Sequence, residues 1–316
     1  MSSYLWYTTL AFISNNPPLT WTQQFPSATP LARFGHAMVY DAAREQVVLF
    51  GGFGDSQFSP SQVVLLGDTW VWDGTNWTQK TPVHSPPARV WSVMTYDAAR
   101  GEVVLFGGFD GLKLSDTWVW NGTDWTQKSP AQSPPGRHWF AMVYDAARSE
   151  LILFGGGDGV SIPLNDTWAW DGTTWTQKSP AHSPPARSEH SMVYDAARGQ
   201  VVLFGGSSCC GQPDDTWVWD GTDWTQMSPA QSPPPGGLHY AMAYDAARGQ
   251  VVLFDGDQGD IWVWDGTNWT RTGPASSPPA RSEYSMVYDE AREGFVLFGG
   301  WVPTASDRLD DTWFLR

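Results

Sequence analysis

The sequence predicts an all-β protein, a six-bladed β-propeller with four antiparallel strands per blade. Three observations carry that expectation. The stretch Met192–Gly206, MVYDAARGQVVLFGG, recurs lightly edited from Met38, Met94, Met142, Met242 and Met286. Each copy is followed by the same ordered set of short apolar and aromatic runs, and self-similarity at about 50 residues is the period of a propeller blade. The two ends of the chain also complement each other. The last unit stops at Asp311–Arg316, DTWFLR, without its closing WTQ, and a spare copy, LTWTQ, lies at Leu19–Gln23.

Taken in order, MVYD is a short β-prone run, and DAARG is a turn with Asp and Gly where the backbone must bend. VVLF, bounded by Gly-Gly, reads as a buried second strand. After a loop of variable length comes DTWVW, at Asp68, Asp116, Asp166, Asp215, Asp260 (as DIWVW) and Asp311. The Asp-Gly or Asn-Gly turn that follows is a hairpin signal leading into the fourth strand, WTQ, at Trp77, Trp125, Trp175 and Trp224, and WTR at Trp269. A Pro-rich connector such as Pro180–Arg187 leads to the next blade. Trp21-Thr22-Gln23 is expected beside the C-terminal strand. There it closes the ring and removes the open sheet edge that invites aggregation. Residues 1–18 are expected to be a tail and 19–316 one propeller domain.

The Gly-Gly pairs (Gly51-Gly52, Gly107-Gly108, Gly155-Gly156, Gly205-Gly206, Gly299-Gly300), the aromatic-Asp pair such as Trp72-Asp73, and the Trp five positions after that Trp, Trp77, resemble the kelch repeat of bacterial type. The resemblance covers roughly residues 19–316 and implies the propeller of the galactose oxidase central domain. It implies no activity, because kelch propellers serve as adaptors, ligand binders and enzyme domains. The oxidase's Cys-Tyr cofactor arrangement finds no counterpart here, and neither does the E-x-x-x-D-x-x-x-H iron motif of plant kelch specifier proteins.

With 18 basic and 33 acidic side chains among 316 residues, the net charge is −15. That disfavours nucleic acid and anionic membranes, which reward clustered Lys and Arg, and fits a soluble monomer with an acidic surface. No apolar run approaches a membrane span. The apolar patch Leu10–Ile13 has no Lys or Arg ahead of it and makes a poor secretory signal, so the compartment stays open. The adjacent Cys209 and Cys210 supply no disulfide framework and are expected to be reduced loop thiols. Four N-x-T sequons (Asn76, Asn121, Asn165, Asn268) follow from the repeat itself.

Six internal copies can be compared with one another. The DAARG and WDGT turns share one face and are nearly uniform. The loops after Gly-Gly and the connectors share the other face and carry almost all the differences, which is where a rigid scaffold displays binding groups. The position two before the repeated Met is His36, Ser92, Phe140, His190, Tyr240 and Tyr284. The position before that is Gly35, Trp91, Trp139, Glu189, His239 and Glu283. At the start of the innermost strand, these form two unlike rings around the channel mouth.

Two site chemistries follow. His36, His190, His239, Glu189, Glu283, Tyr240 and Tyr284 are the candidate acid–base groups. Trp91, Trp139, Phe140, His138, Asp255 and Trp301 are the candidate ligand contacts. Unit five departs most. Gly237 stands where the others carry Arg, and Asp255 replaces the first Gly of the pair, so a lowered rim is expected there. DGDQGD (Asp255–Asp260) resembles half a calcium loop without its closing Glu and reads as an acidic turn. A metal would need ligands from separate blades, and no cofactor is assigned. The leading functional expectation is a binding propeller for a small molecule, glycan or peptide at this mouth. The alternatives are an enzyme of lyase or cyclase type at the same place and a repeat-amplified scaffold without a ligand.

Overall fold

The computed structural model describes residues 19–56, 59–157, 163–235, 240–274, 276–305 and 307–316, with no side-chain account of 56 and 59–62. The expected tail, Phe58, Asp158, Gly237, Leu238 and His239 fall outside the described residues.

Blade four shows the unit. Its strands Ser191–Asp195, Gln200–Phe204, Thr216–Trp219 and Trp224–Gln226 pair antiparallel in sequence order. Met192 faces Leu203, Val202 faces Val218, and Trp219 faces Trp224. The apolar VVLF-type run is solvent-free in every blade, since it is covered on both faces by neighbouring blades. Six such four-stranded sheets occur among the described residues. Their innermost strands, Ala37–Asp41, Val93–Asp97, Ala141–Asp145, Ser191–Asp195, Tyr240–Asp245 and Ser285–Asp289, contact one another in turn, and the last returns to the first.

The ring closes as expected. Trp21–Gln24 pairs with Asp307–Leu315, placing Trp21 opposite Leu315 and Gln23 opposite Trp313. Trp21 thereby takes the place of a fourth-strand Trp in blade six. It packs on Phe254 of blade five at 4.9 Å, as Trp77 packs on Phe298 and Trp125 on Phe50 in the neighbouring seams. In five seams the fourth-strand indole also donates to a threonine of the preceding blade, for example Trp77 Nε1 to Thr312 Oγ1 at 2.9 Å. Trp21 Nε1 is buried without a partner, because blade five carries Ile261 at that threonine position.

The arginine preceding each mouth segment has a structural role. Arg33, Arg89, Arg137, Arg187 and Arg281 are fully buried, and each grips the Asp before its own third strand bidentately, Arg137 to Asp166 at 2.7 and 2.8 Å. Each also donates to the carbonyl of the first Gly of the pair, as Arg137 does to Gly155. Such charge-assisted forks fix geometry as well as energy. On the uniform face a second arginine set, including Arg44, Arg100 and Arg148, crosses to a main-chain carbonyl of the next blade's turn. A Cβ on Gly122 would sit 2.0 Å from Arg44 Nε, which explains the Gly in that turn.

The long loop of blade one adds a three-stranded sheet of Arg33–Phe34, Phe53–Ser56 and Ser59–Leu65. The Val63–Leu66 run is therefore largely an extra strand. It is tied to blade six through Arg308 and Asp55, 2.6 Å apart. No helix among the described residues is long and apolar enough to cross a membrane.

Candidate functional site

Among the described residues the channel has a cavity at each end. On the uniform face, a cavity of about 550 Å³ is lined by the repeated Met, Tyr and Ala of the innermost strands, such as Met192, Tyr194 and Ala196. On the varied face lies a cavity of about 170 Å³ built from the two unlike rings. Gly35, Trp91, Trp139, Glu189 and Glu283 form its outer ring. His36, Ser92, Phe140, His190, Tyr240 and Tyr284 form its inner ring, with Val93 alongside.

A backbone device aims the outer ring. All five described members are in the left-handed region, with φ of 63° at Gly35, 57° at Trp91 and Trp139, 60° at Glu189 and 53° at Glu283. For a bulky L-residue this costs about 1 kcal/mol. The kink turns the peptide so that it bonds around the ring. Gly35 N–H donates to Glu283 O at 2.9 Å, Trp91 N–H to Gly35 O at 2.8 Å, and Glu189 N–H to Trp139 O at 2.8 Å. The absent side chain at Gly35 has its own use. The Trp91 indole lies over that position, where a Cβ would meet it at 2.9 Å, and reaches past blade one to donate to Glu283 Oε2 at 2.7 Å.

Inner-ring residues pack edge-on against the second-strand Phe of the preceding blade. His36 meets Phe298 at 5.5 Å and 75°, Phe140 meets Phe106 at 5.7 Å and 76°, and His190 meets Phe154 at 5.5 Å and 77°. His36 and His190 are 5% and 6% exposed, and their ring nitrogens make no hydrogen bond of good geometry. Burial, helped by the Arg33 charge for His36 and the Arg187 charge for His190, lowers both pKa values to about 3, so both imidazoles are neutral at pH 7. Tyr284 is buried and donates its hydroxyl to Phe254 O at 2.8 Å, and burial holds that hydroxyl well above its ordinary pKa. Tyr240 donates to Pro234 O at 2.5 Å.

The acids behave differently. Burial, reinforced by the Glu283 charge, raises Glu189 to about 6. Burial raises Glu283 as well, and the Trp91 hydrogen bond partly offsets it. The mouth is thus polarised. Blades two and three supply an aromatic wall, with Trp91 and Trp139 rings 4.8 Å apart and His138 stacked behind Trp91 at 5.3 Å. Blades four and six supply carboxylates.

Of the sequence-derived site residues, His36, His190, Glu189, Glu283, Tyr240, Tyr284, Trp91, Trp139 and Phe140 meet at this cavity. Three others sit elsewhere. His138 is buried behind the wall, between Trp91, Trp139 and Phe109. Trp301 packs on Phe34 at 5.5 Å, away from the lining. Asp255 is 2% exposed and caps its own turn, accepting from the Asp257 and Gln258 N–H groups at 3.0 and 3.1 Å. The acidic DGDQGD stretch is therefore a capped turn at the end of an extended strand. Cys209 and Cys210 are exposed thiols without a disulfide, their Sγ atoms in hydrogen-bond contact at 3.1 Å. Among the described residues no three His, Cys, Asp or Glu side chains group as a metal site.

A family model described as the KLHDC2/KLHL20/DRC7 Kelch-repeats domain matches residues 121–254. The chain is a six-bladed β-propeller whose repeats resemble the kelch repeat over that stretch. A solved structure titled "Structure of YjhT" resembles it with a TM-score of 0.65 and 13% identity, over 90% of this chain and 95% of that one. At that identity the likeness speaks to the fold alone. A search of curated proteins gave no match. The kelch propeller is in general a binding and interaction scaffold, and its specificity lies in the loops and mouth of the particular chain.

Proposed function

We propose that residues 19–316 act as one binding propeller whose ligand site is the varied-face mouth, and that the ligand is a small molecule or an exposed group of a glycan or peptide. The observation that carries this is the convergence of nine non-repeated polar and aromatic side chains on one cavity, in a chain whose repeats are otherwise nearly copied. Folding alone accounts for the copied positions. It gives no reason for unlike residues held in a costly left-handed backbone at the mouth. Trp91 and Trp139 supply contact area, and Glu189, Glu283, His36 and His190 supply polarity.

The test is a screen of glycan, peptide and metabolite libraries with the native protein and Trp139→Ala. Binding that Trp139→Ala removes, with the fold intact by circular dichroism, supports the reading. Ligands that bind both proteins equally would place the site elsewhere.

A second reading has one specific observation behind it. Glu189 titrates near 6, in the range of a general acid or base at neutral pH. Under that reading Glu189→Gln abolishes turnover of any ligand found, while binding persists.

A further inference from the structure

We propose that the mouth is built for an organic cation carrying N–H donors, an alkylammonium or alkylguanidinium group held between the Trp91–Trp139 wall and the Glu189 and Glu283 carboxylates. This rests on the mouth being the binding site and names what it takes.

The first support is a charge imbalance at this cavity. Elsewhere the repeated carboxylates are matched. Asp68, Asp116, Asp166, Asp215 and Asp311 are each gripped by a buried arginine, and Asp41, Asp97 and Asp145 each pair with the arginine three residues on. At the mouth two half-buried glutamates face one cavity, and no Lys or Arg lines it among the described residues. Glu283 has the Trp91 N–H as a neutral partner. The Glu189 carboxylate makes no hydrogen bond to the described residues, and each glutamate raises the cost of the other's charge. A bound cation relieves both at once.

The second support is independent of the acids. His36 and His190 are more than nine-tenths buried and line the same cavity; His36 leaves both ring nitrogens unpartnered, and His190 has only a poorly aligned contact with the Phe154 carbonyl. Buried polar atoms are nearly always satisfied, so one idle and one weakly held imidazole at one cavity point to a ligand that completes them. Being neutral, each offers an acceptor nitrogen to an N–H donor. A quaternary ammonium would use the aromatic faces and the carboxylates but leave those acceptors idle. An anion would meet two carboxylates. An uncharged hydroxyl group would leave the charge imbalance standing. The indole faces add cation–π attraction, and the net charge of −15 draws cations toward the surface.

The experiment is isothermal titration calorimetry at pH 7.5 with butylammonium, butylguanidinium, tetramethylammonium and 1-butanol. The proteins are the native chain, Glu189→Gln/Glu283→Gln and Trp139→Ala, each confirmed folded by circular dichroism. The expected result is that butylammonium and butylguanidinium bind, 1-butanol binds at least about tenfold more weakly, and the double Gln protein loses about tenfold or more for the cations. Tetramethylammonium falls below butylammonium, and Trp139→Ala weakens every probe. If 1-butanol matches butylammonium, or the double Gln protein is unchanged while Trp139→Ala loses binding, the cation assignment is overturned and the mouth stands as the site. If the cations do not bind, or bind Trp139→Ala as well as the native chain, the assignment falls, and in the latter case the mouth reading falls with it.

Discussion

Replacing both inner-ring histidines by phenylalanine, His36→Phe/His190→Phe, should make the fold resistant to acid. The substitution fits, because blade three already uses it. Phe140 holds the same edge-on pose against Phe106, 5.7 Å and 76°, that His36 holds against Phe298 and His190 against Phe154 at 5.5 Å. Each histidine falls from 6.5 when free to about 3 in the folded chain. The folded pKa is depressed, so the unfolded chain binds the proton first, and stability is lost as pH falls below 6.5. At 1.36 kcal/mol per unit, each histidine costs about 2 kcal/mol at pH 5 and about 3.4 kcal/mol at pH 4. The pair therefore removes about 7 kcal/mol at pH 4, comparable with the whole stability of a typical domain, about 5–15 kcal/mol. Urea unfolding of both proteins at pH 7, 5 and 4 measures this directly. The native chain's extra loss between pH 7 and 4, relative to the double Phe protein, should be several kcal/mol at unchanged m-value. Parallel pH profiles for the two proteins would refute the assignment of buried, neutral, unsatisfied imidazoles.

The remaining predictions concern other positions. Glu189 shifts the opposite way, up to about 6, so its charge opposes folding as pH rises from 4.5 through 6. Discounted for water at the open mouth, Glu189→Gln should stabilise by about 1 kcal/mol at pH 7.5 and by nothing at pH 4, read from the same urea curves. The orphaned Trp21 indole gives a double-mutant cycle: Trp21→Phe should cost about 1 kcal/mol more in an Ile261→Thr background than in the native chain, because only there does Nε1–H have a hydroxyl to bond. Additive effects would show that the threonine does not reach it. In the first turn of each blade, Gly101, Gly199 and Gly249 occupy a left-handed position that Ser149 takes at φ 55°. Ser149→Gly should therefore raise the thermal midpoint, through about 0.5–1 kcal/mol.

The fold was legible because it is a local message copied. The MVYD, VVLF, DTWVW and WTQ runs each carry their own strand signal, and the registers Met192–Leu203 and Trp219–Trp224 follow from short turns. The seam at Trp21 was legible too, since the chain shows the missing fourth strand and its spare copy. Much of the candidate mouth came from the same comparison, as positions that differ where others repeat. Its chemistry did not. His138, Asp255 and Trp301 differ between units just as Trp91 and Glu189 do, yet they pack behind the wall, cap a turn and cover Phe34. The buried Arg–Asp forks were visible as a repeated Arg and a repeated Asp, with nothing along the chain to join them.

The sequence by itself determined the strands, the number of blades and the closure of the ring, because those depend on residues a few positions apart and on repetition. Only the tertiary structure decided what the mouth is. The left-handed kink that turns Trp139 and Glu189 toward the axis, the reach of Trp91 across Gly35 to Glu283, and the mutual charge cost of Glu189 and Glu283 all join residues of different blades. Trp91 and Glu283 stand 192 positions apart along the chain. Side-chain direction, burial and charge coupling are properties of neighbours in space, and in a ring those neighbours come from every blade.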